Sequence, residues 1–167
     1  MATYFSTKLK MPFDEALHRL RTNLHRVGFS EISTTDLQDI LKCRLDIGFR
    51  RYRILAAYNP EIAYKVISLE SHLGAILPCN IVIQEHENGE VEVSAANPLL
   101  TIDKTDSTSQ IAEIAREVSR RLRDAVDRLH AMENEPSNSS AQRGPSPSYG
   151  GVSRNRINAR WQNNILG

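Results

Sequence analysis

Apolar positions recur along residues 3–132 with two periods, one near two and one near 3.6. Residues 3–9 (Thr-Tyr-Phe-Ser-Thr-Lys-Leu) alternate and are rich in β-forming side chains, which predicts a strand. Pro12 suits the first position of a helix, where its missing N–H would have no partner. Phe13, Ala16, Leu17, Leu20, Leu24 and Val27 then form one helical stripe, and Gly28 supplies the left-handed residue that ends it. Phe29 to Ser33 reads as a second strand. Thr35-Asp36-Leu37-Gln38 has the form of a capping box, opening a short helix with Leu37, Ile40, Leu41 and Leu45 on one face. Tyr52 to Tyr58 reads as a third strand. Asn59 and Pro60 form an N-cap and first-turn pair, and their helix runs to about Glu70 with Ala63, Val66 and Ile67 inward.

Two extended runs follow, Asn80 to Glu87 and Glu90 to Ala96, separated by Asn88-Gly89. Asn-Gly is the strongest two-residue hairpin signal because both residues tolerate positive φ. A two-residue type I′ turn would set Glu87 opposite Glu90, Glu85 opposite Glu92 and Ile83 opposite Ser94. A second capping box, Ser107-Thr108-Ser109-Gln110, precedes a long helix with Ile111, Ile114, Ala115, Val118, Leu122, Val126 and Leu129 on one stripe. The order is β-α-β-α-β-α-β-β-α. Each helix has a single apolar stripe, and the hairpin forces antiparallel pairing. The expected class is therefore α+β, an antiparallel sheet with helices packed on one face. A sheet covered on one face leaves the other to water or to a partner, so a homodimer is expected.

Composition sharpens the boundaries. Hydrophobic residues are 40% and charged residues 25% of 167, as in an ordinary globular domain. Residues 134–167 differ: Ser, Asn, Gly, Pro and Gln dominate, and Arg143, Arg154, Arg156 and Arg160 stand against one acid, Glu135. The expected organisation is one α+β domain over 1–133 and a disordered basic tail over 134–167. Net charge is +1, so no bulk attraction to nucleic acid is expected. No apolar run approaches the 20 or so residues of a membrane span, and the first residues lack a basic-then-apolar leader. With two cysteines, Cys43 and Cys79, the expected compartment is the reducing cytoplasm.

Phe13-Asp14-Glu15-Ala16, the segment Gly48-Phe49-Arg50-Arg51-Tyr52-Arg53-Ile54-Leu55, Asn59-Pro60, and Leu77-Pro78-Cys79-Asn80 before an Asn-Gly hairpin together resemble the domain of unknown function 302 family. The resemblance covers about residues 3–132. It implies a β-α-β4-α core with inserted short helices, grouped with the fold of the TATA-binding protein, and it implies no activity. Nor does that fold grouping imply DNA binding. Many members carry Cys before Asn-Pro, where this chain has Tyr58. If relatives pair that thiol with the one matching Cys79 for metal or redox work, this chain holds half the pair.

Cys79 is the candidate nucleophile. A thiol at a strand mouth is activated when a positive neighbour, here His72 or the Arg50, Arg51 and Arg53 cluster, lowers its pKa. The competing reading is a small buried side chain, and Cys43 is read as helix packing. Asn59, Pro78, Cys79 and Asn80 outline a groove. Arg51 and Arg53, on one strand face, read first as a solvated or salt-bridged edge and otherwise as a grip for a phosphate or carboxylate in the sheet groove. Asn59 is also fully explained as a helix cap. Glu85, Glu87, Glu90 and Glu92 fall on one face of the expected hairpin, with water or arginines rather than a metal offsetting their repulsion. His18 and His25 lie two helical turns apart, about 10 Å, too far to share an ion. In the tail, Ile157, Trp161 and Ile165 at i, i+4, i+8 would present one apolar edge to a protein partner.

No Walker loop, dinucleotide turn, zinc spacing or nucleophile elbow is present. The reading is a non-enzymatic binding module without a cofactor, taking a small or anionic ligand or a protein partner. The alternative is a cysteine-dependent redox or catalytic protein using Cys79.

Overall fold

The computed structural model describes residues 3–98 and 109–131. Its elements follow as β1 (Tyr4–Leu9), α1 (Phe13–Arg26), β2 (Ser30–Asp36), α2 (Leu37–Leu45), β3 (Tyr52–Tyr58), α3 (Pro60–Leu69), a 3₁₀ turn (Ser71–Ile76), β4 (Cys79–Glu85), β5 (Val91–Ala96) and α4 (Ser109–Ala131). The strands form one sheet in the order β1-β5-β4-β3-β2, and every neighbouring pair is antiparallel. This is the α+β class that the element order predicts. The tail residues Ile157, Trp161 and Ile165 and the box residues Ser107 and Thr108 lie outside the described residues.

One sheet face carries the core. Phe5, Leu9, Leu55, Ala57, Ile81, Ile83, Val91, Val93 and Ala95 are buried there. The stripe of α1 meets them with Phe13, Ala16, Leu17, Leu20 and Leu24, and α4 with Ile111, Ala115, Val118, Leu122, Val126 and Leu129. Each such Val, Leu, Ile or Phe side chain contributes about 1.5–3 kcal/mol when fully buried. The opposite face alternates through half-exposed or exposed residues, among them Ser6, Lys8, Tyr52, Ile54, Val82, Gln84, Glu92 and Ser94.

Helix α1 ends as Gly28 predicts. Gly28 has φ +84°, and its N–H donates to the His25 carbonyl while Phe29 N–H donates to that of Leu24. This is a Schellman closure, with Phe29 and Leu24 both buried in the core. Pro12 sits one position earlier than expected, as the cap residue just before the helix, and its carbonyl accepts the Ala16 N–H.

Several expectations are corrected. Thr35 does not cap α2: β2 runs on to Asp36, whose side chain accepts from Asp39 N–H at 3.3 Å. Gln38 turns instead to the Phe49 carbonyl, 2.8 Å away. The apolar stripe of α2 is not buried. Ile40 and Leu45 are exposed and no residue of α2 reaches the core, so Cys43 is exposed rather than packed. On α3 the inward residues are Ile62, Ala63 and Val66, with Ile67 exposed.

The hairpin register also differs by one residue. Ile83 faces Val93, Gln84 faces Glu92 and Glu85 faces Val91. The His86 carbonyl accepts Gly89 N–H, His86 N–H donates to the Glu90 carbonyl, and Gly89 has φ +80°. The connection is thus a three-residue loop with a left-handed glycine, not a two-residue type I′ turn. The four glutamates do not share a face. Glu92 lies on the open face beside Gln84, Glu85 ends the core-facing row, and Glu87 sits in the exposed turn.

Candidate functional site

The residues singled out from the sequence fall at two ends of β3 and β4. At one end, Ala57 pairs with Cys79. Here α3 begins and the 3₁₀ turn delivers the chain into β4 through a cis Leu77–Pro78 peptide. Asn59 caps α3 as expected, its Oδ1 accepting from Ile62 N–H at 2.9 Å. Its Nδ2 donates to the Gly28 carbonyl at 2.6 Å. One side chain thus ties the start of α3 to the end of α1, with both ends of its carboxamide engaged. A Cβ on Gly28 would lie 3.2 Å from that Nδ2, so the close approach itself favours glycine.

Behind Asn59 the elements leave a small apolar pocket of about 40 Å³, with room for roughly three water-sized groups. Its walls are Phe29 and Ala57 from the sheet side, Ile62 and Val66 from α3, Ile76 and Leu77 from the 3₁₀ turn, and Ile114, Ala115 and Val118 from α4. Tyr58, Asn59, Cys79 and Pro98 complete it. Position 58 and Cys79 therefore border the same space. Among the described residues no cation lines this pocket, and burial pushes the Cys79 thiol up from the ordinary 9.0 to about 11. The expected activation of Cys79 by a positive neighbour is thus not found. His72 hydrogen-bonds Glu70 (Nδ1 to Oε1, 2.8 Å), and the three arginines lie at the far end of the strands. Asn80 is exposed and pairs with Ala56 on the open face.

Some 20 Å along β4, at about 3.3 Å per residue, the chemistry is polar. Arg51 and Arg53 flank the Phe13 ring, their guanidinium carbons 4.2 and 5.8 Å from its centroid. Arg51 pairs with Asp14 at 2.5 Å and Arg53 with Asp36 at 3.0 Å. Slight burial pushes the Asp36 carboxyl up, but bonds from Arg53 and from the Asp39 backbone, together with the Arg53 charge, hold it below its ordinary 3.8. Arg51 and Arg53 therefore brace the start of α1 and the end of β2, and they do not meet Asn59, Pro78, Cys79 and Asn80. The six residues form no single site.

The open face at this polar end holds a cluster that the sequence reading did not assemble. Arg50 donates through Nε (3.1 Å) and Nη2 (2.8 Å) to Gln84 Oε1. Gln84 Nε2 approaches Glu92 Oε2 at 3.5 Å, and His86 Nε2 meets the same oxygen at 2.8 Å. The Arg50 guanidinium lies over the Phe49 and Tyr52 rings, 4.9 and 5.8 Å from their centroids. The missed signal is positional: Gln84, His86 and Glu92 share a face only in the correct register. Among the described residues no three His, Cys, Asp or Glu side chains gather to hold a metal, and no helix is long and apolar enough to cross a membrane.

Comparison with known proteins bears on this geometry. The family model of the domain of unknown function DUF302 matches residues 5–129. Among solved structures, the crystal structure of an uncharacterized conserved DUF302 protein from Bacillus stearothermophilus aligns with a TM-score of 0.71. It is 23% identical and covers 77% of this chain and 99% of that one, a likeness of fold. No curated protein matches.

Proposed function

We propose, from the premise that this chain belongs to the DUF302 family, that it is a binding module whose sheet-end pocket holds the uncharged apolar end of a small ligand. The carrying observation is the wall chemistry beside Cys79. Nine apolar side chains from four elements converge there, while the Asn59 carboxamide is already engaged by Gly28 and Ile62. Apolar walls with few polar groups are the usual composition of a small-molecule site. The volume of about 40 Å³ fits a terminal alkyl group rather than a whole metabolite, so the polar remainder of the ligand lies at the mouth.

A thiol-based reaction fits this pocket poorly. The thiolate is the nucleophile, and a group held near 11 supplies almost none of it at neutral pH. Xenon is a suitable probe because it is apolar and small. Dissolved in the native protein, it is expected to shift the methyl resonances of Ile62, Val66 and Ile114, and Ala115→Leu is expected to abolish the shifts by filling the space. Unshifted pocket methyls would overturn the proposal.

A further inference from the structure

A second concavity lies at the opposite end of the strands and does not rest on the apolar pocket. It is an open cleft of about 620 Å³ between the Gly48–Arg50 segment and the β4–β5 loop, with Lys8, Arg50 and His86 among its lining side chains. Arg50 and His86 are each held from behind by a residue that does not line the cleft, Gln84 and Glu92 respectively. The two supports themselves approach at 3.5 Å, so one relay positions both groups.

We propose that this cleft is an oxyanion site, taking the carboxylate or phosphate group of a small ligand on Arg50 with Lys8 and His86 beside it. A guanidinium has five N–H donors in a fixed plane. Gln84 uses Nε and one N–H of Nη2, which leaves Nη1 and the rest of Nη2 as the edge that carboxylates and phosphates engage in bidentate fashion. The Phe49 and Tyr52 rings and the Gln84 carbonyl fix that edge in advance, so less side-chain freedom is lost on binding. Glu87 and Glu90 also line the cleft. They oppose any anion there, an extended polyanion such as a nucleic-acid backbone most of all, so the bidentate edge of Arg50 has to outweigh them for a single oxyanion.

The test is a titration of the full chain, followed through backbone amide, Arg side-chain and His ring resonances. Sodium phosphate and sodium acetate form the two arms, with sodium chloride at matched ionic strength as reference. Saturable shifts at Lys8, Arg50 and His86 are expected with one or both oxyanions, and the arm that saturates first identifies the ligand chemistry. Arg50→Gln is expected to abolish them. Gln84→Ala touches no ligand and is expected to weaken binding about tenfold, through the loss of the two hydrogen bonds that position Arg50. Melting temperatures establish that both variants remain folded. Identical shifts in chloride, or an unchanged affinity in Gln84→Ala, would overturn the proposal. The xenon experiment is untouched by either result.

Discussion

Strands β3 and β4 run side by side from one chemical environment into another. At the Ala57–Cys79 end, α3, the 3₁₀ turn and α4 close over the sheet. Among the described residues, the polar side-chain groups at the wall are a thiol, a phenol and an engaged carboxamide, and burial favours the protonated thiol. At the Tyr52–Gln84 end no helix among the described residues buries an apolar stripe on the open face. Charges persist there because each has a partner: Arg50 with Gln84, His86 with Glu92, and, on the other face, Arg51 with Asp14 and Arg53 with Asp36. The same two strands thus serve an apolar recess on the helix-covered face at one end and a polar cleft on the open face at the other.

The sharpest way to break this contrast is to place a charge at each end. Cys79→Asp buries a carboxylate among apolar side chains, with no cation on the wall among the described residues, and is expected to destabilise the fold by about 3 kcal/mol or more. Gln84→Glu, half-exposed at the other end, is expected to change stability by about 1 kcal/mol or less. Urea denaturation of the two variants measures both. Equal losses would show that the ends do not differ in burial.

Alkaline pH probes the apolar end without changing its packing. The Cys79 pKa is raised in the folded state, from 9.0 to about 11, so its contribution is intact below pH 9 and is lost as pH rises through 11. The loss amounts to about 2–3 kcal/mol at completion. Tyrosines and lysines titrate in the same range, so the readout is the difference between the parent chain and Cys79→Ala. That difference is expected to shift across pH 9–11 and to be flat from pH 6 to 8.

A smaller effect is expected from Asn59→Ala, which removes the cap of α3 and the bond to the Gly28 carbonyl together. About 1–2 kcal/mol is expected. The increase in amide exchange should concentrate in the first turn of α3 and at the end of α1, and leave the Arg50–Glu92 cluster protected as before.

Much of this architecture is written in local pattern. The α1 stripe with Gly28 and the α3 stripe with the Asn59-Pro60 pair each combine periodicity with a cap, so neighbouring signals agree, and α4 is carried by its stripe. Two failures show where local reading stops. In the hairpin, directly opposed residues must share a face, so inward Ile83 cannot oppose outward Ser94. The alternation of Val91, Val93 and Ala95 already carried that parity, yet the Asn-Gly turn rule outweighed it. In α2 the stripe Leu37, Ile40, Leu41 and Leu45 is a sound helix pattern, but burial depends on what the fold places opposite, and the core provides no place for it. The candidate sites divide in the same way. Cys79 and Asn59 were legible because a short motif marks each. Arg50, Gln84, His86 and Glu92 come together only through strand pairing across residues 50 to 92, which no short motif records.

The central proposal is that the Cys79 end is an apolar recess that binds a ligand, with its thiol held protonated rather than reactive. Alkylation with iodoacetamide at neutral pH, mapped by peptide mass spectrometry, tests it with exposed Cys43 as the internal reference. Raising the pKa from 9.0 to about 11 lowers the thiolate fraction about a hundredfold, and burial slows access further. The account predicts complete labelling of Cys43 while Cys79 stays unmodified until the protein is unfolded. Labelling of Cys79 in the folded protein as fast as Cys43 would contradict it.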